Sequence, residues 1–86
     1  MRLSPEDERI VDEYVRFLYR HKCVRCQART DIVHEIVPKS KRPADWWQLD
    51  NLILLCQACH EWSHELGTAR REEELRGYQR RARRIE

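Results

Sequence analysis

Two C-x-x-C pairs, Cys23-Val-Arg-Cys26 and Cys56-Gln-Ala-Cys59, constrain this chain more than any other feature. Each pair forms a tight turn that presents two thiolates to one ion, and two such turns complete the tetrahedral shell of a structural zinc. The 29 residues between the pairs must therefore leave one point and return to it. A redox dithiol needs only one pair, and disulfides need an oxidising compartment. The chain opens Met-Arg-Leu-Ser-Pro and runs into acidic residues rather than an apolar stretch, and no apolar run reaches the length of a bilayer span. The expectation is a cytoplasmic domain with no membrane partner, in which Cys23, Cys26, Cys56 and Cys59 bind structural Zn²⁺.

A chain this small needs such an ion. Eighty-six residues make a single domain, 37% of them charged, with a mean hydropathy of −0.88, so the core alone is marginal. Zinc on four thiolates contributes on the order of 10 kcal/mol to the folding of a domain this size.

Three segments follow from patterning: an N-terminal helix within 1–22, a zinc core over 23–67 and a basic C-terminal helix over 68–86. In the first, Ser4 is placed to cap, Pro5 suits the first helical position and Asp7 the capping-box acid. Ile10, Tyr14, Phe17 and Leu18, widened by Val11 and Val15, predict the buried stripe. Thr30–Val37 is rich in β-branched residues and stopped by Pro38, which predicts a strand. Leu52–Leu55 predicts a second, buried strand. The intervening loop, 38–51, is too long for a tight hairpin, and loops of that length are usually functional. A short helix over 57–66, closed by Gly67, follows. The last helix, roughly 69–85, shows Leu75, Tyr78, Ala82 and Ile85 at helical spacing, with Gly77 weakening it. The predicted class is a small α+β zinc-stabilised domain.

The histidines form a second constellation. His60 and His64 are four apart on the short helix, so their rings share one face. His34 lies on the first strand, beside that helix once the strands pair. Three imidazoles on one divalent ion leave positions open for water and substrate, as catalytic rather than structural sites do. His60 or His64 could instead replace a cysteine at the zinc, but four thiolates already fill that shell. His21, at a helix end, carries no expected role.

Taken together, Cys23-x-x-Cys26, Val33-His34-Glu35-Ile36-Val37-Pro38-x-Ser40, Asp50-Asn51-Leu52 and Leu55-Cys56-x-x-Cys59-His60-x-x-x-His64 resemble the HNH endonucleases of the ββα-metal, treble-clef type. The resemblance spans about residues 23–64 and implies a ββα-metal core with flanking helices. It implies hydrolysis of DNA phosphodiester bonds with one divalent ion, and very small relatives of this kind are encoded by phages or mobile elements. By the same resemblance His34, His60 and His64 bind the catalytic ion, and Asn51 fixes the loop and orients catalytic groups. Three imidazoles favour Mn²⁺, Ni²⁺, Co²⁺ or Zn²⁺ over Mg²⁺. Glu35 departs from the pattern, standing where family members commonly carry the general-base histidine. It can be the base itself, a further ligand or an orienting group, and it faces the ion only if the strand bends, because adjacent strand residues point to opposite faces.

Charge distribution adds a partner. The formal net charge is only +2, but residues 69–86 carry seven Arg against four Glu, while acids crowd the N-terminal helix. Lys39, Lys41 and Arg42 in the long loop, and Arg76, Arg80 and Arg84 along the last helix, are the expected contacts to DNA phosphates. Trp46 and Trp47 either anchor the loop or wedge against bases, and Trp62 lies off the histidine face as a core residue. The competing reading is a non-catalytic zinc module that binds DNA or protein, such as an adaptor to phage packaging machinery. The partners implied by the resemblance are then a larger phage protein such as a terminase, in a bacterial or phage-infected host.

If zinc closes the two pairs, the isolated protein retains one tightly held zinc per chain through dialysis, and removing it with a strong chelator abolishes most of the helical circular dichroism. Full helicity in the metal-free protein would refute the scaffold role.

Overall fold

The computed structural model describes residues 3–84, apart from the side chain of Arg84; Ile85 of the expected C-terminal stripe lies outside the described residues. Among them are three α-helices, α1 (Pro5–Leu18), α2 (Gln57–His64) and α3 (Thr68–Arg84), and two strands, β1 (Val33–Glu35) and β2 (Leu52–Leu54). The strands form one antiparallel sheet in the register Val33↔Leu54, His34↔Ile53 and Glu35↔Leu52. No helix is long and apolar enough to cross a membrane among the described residues.

The first helix begins as its sequence dictates. Ser4 Oγ accepts the Asp7 N–H at 3.1 Å, Pro5 opens the first turn and three acids face the positive end of the helix dipole. Its buried face differs from the predicted one. Val15 is fully buried, with Val11, Leu18 and Tyr19 beside it, whereas Ile10, Tyr14 and Phe17 are exposed, Phe17 at 74%. The apolar residues cover about half the circumference, and a two-stranded sheet offers contact for only one edge of that band. The helix ends with His21 N–H donating to the Arg16 carbonyl at 2.9 Å, while Arg20 and His21 both take left-handed conformations at φ 58°.

The hairpin is shorter than the β-branched run suggested. Pairing continues past the strands only through the Leu55 N–H to the Ile32 carbonyl and the Ile36 N–H to the Asn51 carbonyl. Thr30 leaves the ladder because its hydroxyl turns to the Leu55 carbonyl (3.0 Å). Leu52, Ile53, Leu54 and Leu55 are all buried, forming the centre of the core with Ile36 and Val15. Such a continuous apolar run is what a strand covered on both faces requires.

The second helix ends at His64, with Glu65 as its cap, before reaching Gly67, which has an ordinary negative φ and does not cap it. Instead the Gly67 carbonyl accepts the Arg71 N–H (2.8 Å) and opens α3. That helix buries Leu75 and Gln79 and packs Tyr78 and Ala82 against the core.

Gly77 sits inside α3, where an added Cβ would meet only the flexible end of Arg81 at 3.8 Å. Gly77→Ala should therefore raise stability by about 1 kcal/mol, read from the urea midpoint; a loss of stability would show a constraint not visible at this position.

Candidate functional site

The four cysteines come together. Their Sγ atoms all lie within 4.8 Å of one another, with Cys26 and Cys56 at 3.5 Å. Tetrahedral zinc with Zn–S bonds of about 2.3 Å places its sulfurs a little under 4 Å apart, so this donor set fits zinc. Cys23 and Cys26 lie on a knuckle whose flanks pair through the Lys22↔Arg29 bridge, and the Val24 N–H donates to Leu54 in β2 (3.0 Å). Cys56 is the cap residue of α2, which places its own thiol and that of Cys59 at the positive end of a helix.

The cluster is prepared unevenly for ionisation. Burial raises the Cys23 thiol, but N–H donors from Cys26, Cys56 and Arg25 outweigh it and bring it down to about 7. Burial pushes Cys59 up to about 12, partly opposed by Arg25, whose guanidinium donates to its Sγ at 3.5 Å. Without an ion, then, at least one thiol in the shell stays protonated. Zinc binding must release that proton, so the affinity falls as the solution becomes more acidic.

The histidine rings also converge. His34 stands T-shaped to His60 at 4.9 Å between centroids, His34 to His64 at 6.1 Å, and His60 to His64 at 4.5 Å. The Nε2 atoms of His60 and His64 are 3.2 Å apart. Two nitrogens bound to one ion at about 2.1 Å are separated by about 3.0–3.4 Å, so this pair has the spacing of shared ligands. His34 is buried, and its Nε2 has no hydrogen-bond partner. A buried, unpartnered imidazole nitrogen is costly unless something else satisfies it. Burial, then the neighbouring His60, His64 and Arg71, hold His34 down to about 4, so its ring is neutral at pH 7 and its lone pair is available to a cation.

The rings border a cavity of about 210 Å³, whose remaining lining includes Glu35, Pro38 and Arg71. Glu35 thus reaches the same cleft as His34, because β1 ends there and the chain bends immediately after it. Arg71 is the residue whose place beside the histidines the sequence did not show. It belongs to the first turns of α3 and reads as one arginine among many; only the docking of α3 brings it to the histidines.

Asn51 is not part of the cleft lining. Fully buried, it accepts the Val37 N–H (2.8 Å) and donates to the carbonyls of Val37 (2.9 Å) and Trp46 (3.0 Å). It closes the long loop at its root and so sets the end of β1. The loop cations diverge. Lys39 lies over the Trp46 ring at 4.1 Å, and Lys41 is exposed. Arg42 is held by both oxygens of Asp45 (3.0 and 2.9 Å) and by Asp50 at 3.7 Å. Arg76 donates to the Asp50 carbonyl at 2.9 Å and pairs with Glu72, and Gln79 donates to the same carbonyl. Arg42 and Arg76 therefore brace the loop, while Arg80 is exposed. Trp46 and Trp47 are half-buried, as loop anchors are, and Trp62 packs between Arg25 and Tyr78.

A family model described as HNH endonuclease matches residues 23–65, half of the chain. Neither the curated proteins nor the solved structures hold a match to it.

Because both amide hydrogens of Asn51 meet carbonyl oxygens, Asn51→Asp keeps the shape while turning a donor into an acceptor. It should destabilise the fold by at least about 3 kcal/mol, measured by urea denaturation of the zinc-loaded protein. A change under about 1 kcal/mol would contradict the clamp.

Proposed function

Since the chain belongs to the HNH endonuclease family, we propose that it is a metal-dependent DNA endonuclease that hydrolyses phosphodiester bonds in the histidine cleft. The observation that carries this reading is the His60–His64 pair, with Nε2 atoms 3.2 Å apart, beside the ring of His34, which lies 4.9 Å from that of His60 and whose buried Nε2 is unpartnered. A divalent ion held by His34, His60 and His64 would supply Lewis-acid stabilisation of the negative charge that develops on the phosphate and the departing oxygen. The donor set of three nitrogens favours Mn²⁺, Ni²⁺, Co²⁺ or Zn²⁺ over Mg²⁺.

The chain's own residues divide the remaining work. Arg71 borders the cleft and binds a non-bridging phosphate oxygen, a task suited to a guanidinium because it presents several donors in one plane. Lys39 and Lys41, on the loop that begins at cleft residue Pro38, hold neighbouring phosphates, and Arg80 extends that contact along α3. The Glu35 carboxylate takes a proton from the attacking water, whose oxygen bonds to phosphorus while the bond to the 3′ oxygen breaks, leaving a 5′-phosphate. Asn51 keeps β1 and its cleft residues, His34 and Glu35 among them, at the root of the loop.

One observation favours a second reading, a zinc module that binds without cleaving: the family's usual histidine base is replaced by Glu35. The two readings separate in a plasmid assay. Supercoiled DNA should be nicked or cut with at least one of Mn²⁺, Ni²⁺, Co²⁺, Zn²⁺ or Mg²⁺. His60→Ala should abolish cleavage while zinc content and helical dichroism stay unchanged, and Glu35→Gln should slow it by about 10² to 10⁴. No cleavage by the wild type with any of these ions leaves only the binding module.

A further inference from the structure

We propose that the zinc knuckle carries a second nucleic-acid-binding surface, a basic groove that grips phosphate backbone away from the bond being cut. The choice of DNA as its ligand rests on the endonuclease reading. The groove itself does not. A cavity of about 150 Å³ runs between the end of α1 and the knuckle, with Arg20 and Lys22 on its border. A neighbouring cavity of about 230 Å³ is bordered by Arg25 and Arg81. The two share Val24, Gln27 and Ala82 in their linings, so they adjoin and together make the groove.

Its charge is one-sided. No carboxylate lines either cavity, and none of these four cations has an ion pair among the described residues. In a chain whose formal net charge is only +2, four cations without a carboxylate partner give these two cavities a basic border, although Arg25 also donates to Cys59 Sγ. Two of them are also held in place. Arg25 lies 3.8 Å over the Trp62 ring, Arg81 lies 4.6 Å over Tyr78, and those two rings meet edge to face at 6.2 Å. Stacking orients a guanidinium without neutralising it; one Arg25 donor goes to Cys59 Sγ, and the other in-plane donors are left for phosphate oxygens. Several cations spread over adjoining cavities suit a polyanion better than a single anion, because each seated phosphate releases counterions.

The groove and the cleft lie on different sides of α2. Trp62 follows His60 by two residues, about 200° around the helix axis, so the stack that borders the groove points away from the histidine rings. Nucleic acid in the groove is therefore remote from the scissile phosphate and acts as an anchor, not as the reacting segment.

The test measures affinity for a 30-base-pair fluorescent duplex by anisotropy, without added divalent ion, across a range of NaCl concentrations. The variant combines Arg20→Ala, Lys22→Ala and Arg81→Ala; Arg25 is left alone because it donates to Cys59. The slope of log affinity against log salt should shrink by about 2 to 3, with zinc content and dichroism preserved. Hydrolysis of bis(4-nitrophenyl) phosphate, too small to reach the groove, should be unaffected. A variant with the wild-type slope, a wild type that binds no duplex, or a variant that loses small-diester hydrolysis as well would each overturn the groove as an independent anchor. If the wild type hydrolyses neither substrate, the endonuclease reading fails while the slopes still decide the groove.

Discussion

The structure depends on closing two distant cysteine pairs around one point. The sheet has only two three-residue strands, and a hairpin of that size is not stable alone in water. The thiolate cluster supplies what the sheet lacks. It ties the knuckle, which hydrogen-bonds to Leu54 in β2, to Cys56 at the head of α2. Once Cys56 and Cys59 face the knuckle, the phase of α2 is set, and His60 and His64 emerge on another side of the helix toward β1. The position of the candidate active site thus follows from the geometry of the four-cysteine cluster.

A second constraint acts from the opposite end of the hairpin. Asn51 holds both ends of the long loop, and α3 reinforces the hold by directing Arg76 and Gln79 onto the carbonyl of the preceding residue, Asp50. The helix that makes these contacts lies outside the family-matched region, and so does Arg71 in the cleft. The flanking helices are therefore not passive additions. One covers the sheet through Val15, and the other brings a cation to the histidines and braces the loop root.

The features carried by spacing were legible in the sequence. Two C-x-x-C turns have little freedom, and an i, i+4 histidine pair on a helix can only share a face, so the thiol cluster and the His60–His64 pair came out as read. The Ser4 cap did too, being a local hydrogen bond. What spacing could not convey was which edge of a broad apolar band would find a partner, hence the misjudged Ile10, Tyr14 and Phe17. Nor could it tell a bracing arginine from an open one: Arg42 and Arg76 are engaged by groups 3 to 26 residues away in sequence, contacts created by loop closure and helix docking. Glu35 lay in between, since its approach to the cleft required β1 to stop after three residues.

The central claim is that the scaffold ion and the three imidazoles form two distinct metal centres. Anomalous diffraction from crystals of the zinc-loaded protein soaked in cobalt(II), recorded at the zinc and cobalt edges, addresses it most directly. The account predicts zinc among the four Sγ atoms and a separate cobalt peak about 2.1 Å from imidazole nitrogens of His34, His60 and His64. Zinc in the thiolate shell with no cobalt between the three rings would contradict it.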